Sequence, residues 1–257
     1  MKITALTENT SACRLPVEHG LSLFVDMGDR RFLFDMGQTG RFAENARALG
    51  VDLGTADFAV LSHWHYDHGG GLATFLALND RAPVYMSRRA FEPHYNASDA
   101  YIGLDGGLKG SPRLVYVDDS LEIAPGVTLI NAGQVPLVGD FGAFGLKVFR
   151  QGRLQPDDFL HEQYLLIERD GRRVLFSGCS HRGILNIARR FRPDVLIGGF
   201  HLFKLPVGEA LDGYADALEA AKATYYTCHC TGTEQYEYMK RRMTRLHYIS
   251  AGDTVEV

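Results

Sequence analysis

His63, His65, Asp67 and His68 fall within six positions of the stretch "AVLSHWHYDHGGGLATFL", residues 59–76. Imidazole and carboxylate groups together bind divalent zinc, manganese or iron. The spacing by two is informative. On extended backbone, side chains two apart point to the same side, whereas on a helix they diverge. The motif is therefore predicted at the end of the strand "DFAVLS" and in the loop after it. His68 is expected round the turn, and Gly69, Gly70 and Gly71 should let the backbone turn into the next helix. Four such groups exceed what one open catalytic ion needs and suit two neighbouring ions.

Several short elements would have to position these residues. "KITALTE", "LSLFVDM" and "RFLFDMG" read as strands, with "GDRR" as the turn between the last two. "GRFAENARALGV" reads as an amphipathic helix stopped by Gly50, "GGLATFLALN" as a helix entered through glycines, and "APVYMS" as a strand. Further on, "LVYVDD", "LEIAPGVTLI", "FGLKVFR", "EQYLLIE", "RRVLFSG", "PDVLIGG", "TYYTCH", "LHYIS" and "TVEV" are strand-like. "RGILNIARRF", "EALDGYADALEAAKA" and "TEQYEYMKRRM" are helical. Strands with interleaved helices in both halves predict an α/β (α+β) chain: a four-layer αββα sandwich of two mixed sheets with outer helices. A single parallel sheet is the competing arrangement, weakened by the hairpin-connected strands. Residues 1–257 read as one domain. Residues 87–113 show no clear period and form a candidate lid, in which Arg88, Arg89, His94 and Lys109 could meet an anionic group.

Composition narrows the function. With 257 residues, 46% hydrophobic and 23% charged, the chain can bury a sizeable core. A net charge of −4 argues against a general nucleic-acid binder. The basic clusters "RRFR" and "KRRMTR" read as solvated helix ends or faces. No apolar run reaches the length of a membrane span, and the N-terminal segment lacks a signal-peptide core, so a cytoplasmic location is expected. Four cysteines without a framework spacing agree with that expectation.

His63-x-His65-x-Asp67-His68 after an apolar strand resembles the signature of the metallo-β-lactamase superfamily. "ENTS", "EHGLS", "LFDMGQTG", "SGCSHRGILNI", "GGFHL" and "CHCTG" extend the resemblance over nearly the whole chain. Together they are similar to one branch, which holds the archaeal 7,8-dihydropterin-6-methyl-4-(β-D-ribofuranosyl)aminobenzene-5′-phosphate synthases and many bacterial metal-dependent hydrolases. The resemblance implies that His63 and His65 bind a first metal and Asp67 and His68 a second. His181 is the implied third histidine of the first metal, with His161 as a rival, and His229 completes the second. Cys179 stands where most of the superfamily has a bridging aspartate; it is either a thiolate ligand or a packed small residue.

Asp35 is expected to orient a metal-bound histidine or water. His19 and His201 could reach a substrate or be structural histidines. Cys228 and Cys230 are expected to pack, and Glu8 and Asn9 to cap a loop or edge the site. The implied activity is a binuclear metal-dependent hydrolase acting on a small anionic or phosphorylated molecule through a metal-activated water, with Asp67 positioning the nucleophile. The alternative is a transferase joining a pterin methyl diphosphate to a ribofuranosylaminobenzene phosphate. Two divalent ions are expected, zinc first, then manganese or iron. The partner is a small molecule rather than nucleic acid or membrane, and a homo-oligomer is possible. A redox module is disfavoured by His65, because electron transfer usually uses a carboxylate at that position.

Overall fold

The computed structural model describes residues 1–139 and 143–257. In chain order the first strands are β1 (Lys2–Thr7), β2 (Ser22–Asp26), β3 (Arg31–Phe34), β4 (Phe58–Val60), β5 (Val84–Ser87), β6 (His94–Tyr95) and β7 (Leu114–Val117). There follow β8 (Ser120–Ala124), β9 (Val127–Asn131), β10 (Lys147–Arg150), β11 (Arg153–Pro156), β12 (Gln163–Arg169) and β13 (Arg172–Ser177). The last are β14 (Val195–Gly198), β15 (Thr224–Thr227), β16 (Leu246–Tyr248) and β17 (Thr254–Glu256). The helices are α1 (Arg41–Ala48), α2 (Tyr66–Gly69), α3 (Leu72–Leu78), α4 (Ile184–Phe191), α5 (Glu209–Ala220) and α6 (Thr233–Met239).

These elements gather into two compact units. The first comprises Met1–Asp118, Gly142–Gln163 and Ser250–Val257; the second comprises Asp119–Phe141 and Tyr164–Ile249. Unit 1 holds a seven-stranded sheet in the order β17-β1-β2-β3-β4-β5-β7 and a small sheet β11-β10-β6. β1 to β3 are antiparallel neighbours, and β3, β4, β5 and β7 run parallel. Phe42 and Ala46 of α1 and Leu72 and Phe75 of α3 join Leu33, Ala59 and Val84 in its core. Unit 2 holds a second seven-stranded sheet, β16-β15-β14-β13-β12-β9-β8, parallel from β13 to β16 and antiparallel between β12 and β13. Its core takes Ile184, Ile187 and Phe191 from α4, Leu211, Ala215 and Leu218 from α5 and Met239 from α6. Burying one such leucine or phenylalanine contributes about 1.5–3 kcal/mol. The α/β class with two mixed sheets is therefore observed, and no single parallel sheet is present among the described residues.

Some local expectations need correction. Asp67 does not continue the extended backbone, while His68 does lie round the turn. After His65, which is extended at φ −97° and ψ 147°, residues 66–69 close one helical turn, with His68 and Gly69 donating to the His65 carbonyl. The glycines after it serve close approach rather than a sharp turn. A Cβ at Gly70 would lie 2.0 Å from the Gln38 carbonyl oxygen, and one at Gly71 would lie 2.2 Å from that of Met36. "LEIAPGVTLI" is a hairpin, β8 with β9, because Gly126 turns the chain at φ +71°. β11, absent from the sequence reading, pairs with β10 through the turn at Gln151 and Gly152.

Residues 87–113 are anchored at several points. β6 pairs with β10, Ala90 and Leu104 are buried in the unit 1 core, and the Phe91 ring centre lies 3.8 Å from that of Trp64.

Candidate metal centre

In unit 1 the candidate residues follow the C-terminal ends of the parallel strands, where open α/β sheets place their ligands. The register of β3 on β4 pairs Phe34 with Val60, so Asp35 emerges beside Ser62. Asp35 is fully buried in a left-handed conformation, φ +58°. Its Oδ1 accepts the Ser62 N–H at 2.7 Å, and its Oδ2 accepts the Ser62 hydroxyl at 2.7 Å. The same Oδ2 lies 2.7 Å from His68 Nδ1. Because Ser62 gives its proton to Asp35, its oxygen accepts from His63 Nδ1, 2.9 Å away. One carboxylate thus fixes the Nδ1 proton of two rings, directly for His68 and through Ser62 for His63.

His68 Nε2 lies 3.9 Å from Asp67 Oδ2. Burial opposes the charged form of His68, but the Asp35 and Asp67 carboxylates outweigh it and hold its pKa above the ordinary value. Asp67 Oδ2 also meets His19 Nε2 at 3.2 Å, and His19 Nδ1 is 3.2 Å from Asn9 Nδ2. His19 therefore reaches the motif aspartate, half exposed. Glu8 is buried and its Oε2 accepts from the Thr10 N–H and hydroxyl, which caps the loop after β1.

Trp64 points opposite to its neighbours and is fully buried in the unit 1 core. The His63 and His65 rings come together, with centres 4.6 Å apart. His65 also borders a group that the sequence did not bring together: His65, His94, Asp157 and His161 each offer a ligand atom within 4.8 Å of the others. All four are buried. Asp157 Oδ2 accepts from His94 Nδ1 at 2.7 Å and faces His161 Nε2 at 3.5 Å; Asp157 Oδ1 accepts the Phe159 N–H. His161 Nδ1 accepts the Trp64 N–H at 3.1 Å, so its proton sits on Nε2, toward Asp157. Burial works against the Asp157 charge, yet the two histidines outweigh it and hold the carboxyl far below the usual range. Burial, reinforced by His161, pushes His94 down to about 4. Burial likewise holds His65 well below its ordinary value, again reinforced by His161. Both rings are therefore neutral near pH 7, the state in which imidazole ligates.

Unit 2 presents its candidates after β13, β14 and β15. Cys179, His181, His201, His229, Cys228 and Cys230 are all buried. Ser180, His201 and His229 adopt positive φ of 60°, 53° and 51°, a clustering of uncommon backbone typical of functional loops. The His181 and His201 ring centres lie 4.3 Å apart. Cys179, His201 and Cys230 offer ligand atoms within 4.8 Å of one another, and Cys230 Sγ lies 3.5 Å from the Cys179 carbonyl oxygen. Cys230 is thus brought beside Cys179, which sequence spacing alone did not reveal.

A divalent ion fits these donors. In unit 1, His63 and His68 are held at Nδ1 by a hydroxyl and a carboxylate, with Asp67 near His68; unit 2 separately offers buried imidazoles and thiols. Over residues 15–223 the sequence matches the model of the metallo-β-lactamase superfamily. The chain belongs to that superfamily. This metallo-β-lactamase-fold chain is 27% identical over 287 aligned positions to the 7,8-dihydropterin-6-methyl-4-(β-D-ribofuranosyl)-aminobenzene-5′-phosphate synthase of Methanocaldococcus jannaschii, covering 96% of this chain and 94% of that protein. It is 28% identical over 241 positions to the protein MJ0448 of the same organism, covering 90% of each. Among solved structures it is similar to Tm1679, a metal-dependent hydrolase of the β-lactamase superfamily. That pair has a TM-score of 0.85, 32% identity and coverage of 100% of this chain and 99% of the other. No helix among the described residues is long and apolar enough to cross a membrane.

Proposed function

We propose that the protein is a binuclear metal-dependent hydrolase acting on a small anionic or phosphorylated molecule. The observation that supports this reading is the gathering of the motif donors: His68 Nε2 lies 3.9 Å from Asp67 Oδ2, the His63 ring centre is 4.1 Å from that of His68 and 4.6 Å from that of His65, and Asp35 holds His68 at Nδ1. His63 and His65 are assigned to a first ion with His181, and Asp67, His68 and His229 to a second, as the superfamily motif implies. The tautomer of His161, with its Nε2 proton turned to Asp157, supports His181 over His161. Cys179 is a candidate thiolate. When bound, divalent ions of this kind supply Lewis acidity and lower the pKa of water to about 7.

The chain's own contribution is orientation. Asp35 and Ser62 hold His63 and His68 in the ligating tautomer. Asp67 would position the nucleophile, steadied by His19, whose half-exposed ring would also reach a substrate. His201 is assigned a substrate-facing role, and residues 87–113 that of a cover. Zinc is the favoured ion, manganese or iron the alternatives. Four cysteines whose spacing is not that of a disulfide framework support a reducing, cytoplasmic setting.

A transferase reading is favoured by one observation, the near full-length similarity to the dihydropterin synthase. The test begins with metal content by mass spectrometry on untagged protein, with two ions per chain expected; fewer than one after zinc reconstitution would sink the centre. Phosphoesters and a pterin methyl diphosphate are then offered with and without an aminobenzene acceptor. Turnover without acceptor supports hydrolysis, and strict dependence on acceptor supports transfer. Cys179→Ser separates ligand from filler, because unchanged metal content would count against ligation.

A further inference from the structure

His94 lies in the segment 87–113, thirty-one chain positions after His63, and its local sequence suggests contact with an anionic group but nothing of metal ligation. The structure nevertheless builds a chain of polar contacts that ends on it. The Trp64 N–H, inside the His63-Trp64-His65 motif, donates to His161 Nδ1 at 3.1 Å. His161 must then carry its proton on Nε2, which faces Asp157 Oδ2 at 3.5 Å. The same oxygen accepts from His94 Nδ1 at 2.7 Å. His94 is therefore left with its lone pair on Nε2. The ring is fully buried, and among the described residues no donor reaches Nε2.

A buried acceptor without a donor costs about 1–3 kcal/mol. A purely structural histidine would be expected to turn that nitrogen to a partner. A carboxylate holding Nδ1–H with Nε2 bare is instead the arrangement that presents imidazole to a metal.

The neighbouring imidazole is His65, which with His94 offers a ligand atom within 4.8 Å. The two ring centres are 5.7 Å apart at 75°. Two imidazoles on one tetrahedral zinc, with Zn–N about 2.0–2.1 Å, place their ring centres roughly 5 Å apart. The His161 ring centre also lies 5.1 Å from that of His65, but it packs at 3.9 Å and 32° against His94, too close and too parallel for both to share an ion, and its Nδ1 is taken by the Trp64 N–H, which leaves His94 as the ring with a lone pair to give.

We propose that His94 is a metal ligand, binding through Nε2 the ion that His65 binds, with Asp157 and His161 as the residues that position it. This rests on the metal-centre reading above and adds to it a ligand from the segment 87–113. It also couples that segment to metal loading, since filling the centre would tie β6 to the loop after β4.

The test is zinc titration of the intact, metal-free chain labelled with ¹⁵N-histidine. The His94 Nε2 resonance is assigned by its disappearance in His94→Gln. On zinc binding it is expected to move from the range of an unprotonated nitrogen to that of a metal-bound one, in step with the His65 resonance. Asp157→Asn is expected to weaken zinc binding by about 10–100-fold, the usual effect of removing a carboxylate behind a ligating histidine. If zinc binds and His65 shifts while His94 Nε2 does not move, His94 is not a ligand and the inference fails alone. If no zinc binds, this inference and the metal-centre reading fall together. The signal is read in the intact chain, so a folding defect of Asp157→Asn would not obscure the result.

Discussion

Asp35 Oδ2 lies 2.7 Å from His68 Nδ1, and neither side chain is exposed to solvent. The same carboxylate also takes the Ser62 N–H and hydroxyl. Asp35→Asn presents an amide N–H or a weaker acceptor where His68 needs an anion. Zinc affinity is expected to fall by about 10–100-fold. Stability of the metal-free protein should drop by about 1–3 kcal/mol for the buried donors left ill-matched. Competitive chelator titration and urea unfolding read the two effects separately, and unchanged affinity would remove Asp35 from the centre.

Gly70 and Gly71 sit where the backbone of residues 36–39 passes the entry to α3. Gly70→Ala would set a methyl group 2.0 Å from the Gln38 carbonyl oxygen, against backbone that cannot rotate away. The expected loss is about 1–3 kcal/mol or more, the range for forced overpacking. A thermal midpoint equal to the parent's would show that the segment yields. Gly50→Ala is a useful contrast, since its Cβ would meet nothing within 4 Å; only the strain of its positive φ, +71°, would remain.

Arg150 joins Glu92 of the segment 87–113 to Asp158, donating to both. Burial opposes the Asp158 charge, but the Arg150 guanidinium outweighs it and holds the carboxyl below its ordinary value. A depressed carboxylate stabilises the fold above its unfolded pKa, near ~3.9, and loses that contribution as pH falls through the lower folded value. The window is therefore below about pH 4. Arg150→Met should flatten the acid limb of the stability profile in that window; an identical slope in both proteins would show that the network contributes nothing there.

Metal removal should lower stability by mass action. At free zinc about 100 times the dissociation constant, binding to the native state alone adds about 2.7 kcal/mol. Chelation is expected to lower the thermal midpoint of the parent protein and to leave His63→Ala less affected. Equal shifts in the two would detach His63 from the centre.

Much of this architecture was legible in the residues. β4 announced itself as a short apolar run, α1 through Phe42 and Ala46 on one stripe, and the motif through a spacing whose chemistry is local. The lone pair on His63 Nε2, by contrast, depends on Asp35, twenty-eight positions away, through Ser62. His94 and Asp157 are separated by 63 positions and share no pattern, yet they meet in a 2.7 Å hydrogen bond. Cys230 reached Cys179 in the same way.

The sequence alone determined most of the larger strands and helices, the superfamily and the His63-x-His65-x-Asp67-His68 donors, because periodicity and ligand spacing act over a few residues. Only the tertiary structure decided that Asp67 and His68 lie on a helical turn, that His63, His68 and His94 carry a proton on Nδ1 and His161 on Nε2, and that His94 is buried against Asp157. Those outcomes rest on strand register and on contacts between segments far apart in the chain, and no local pattern of side chains encodes them.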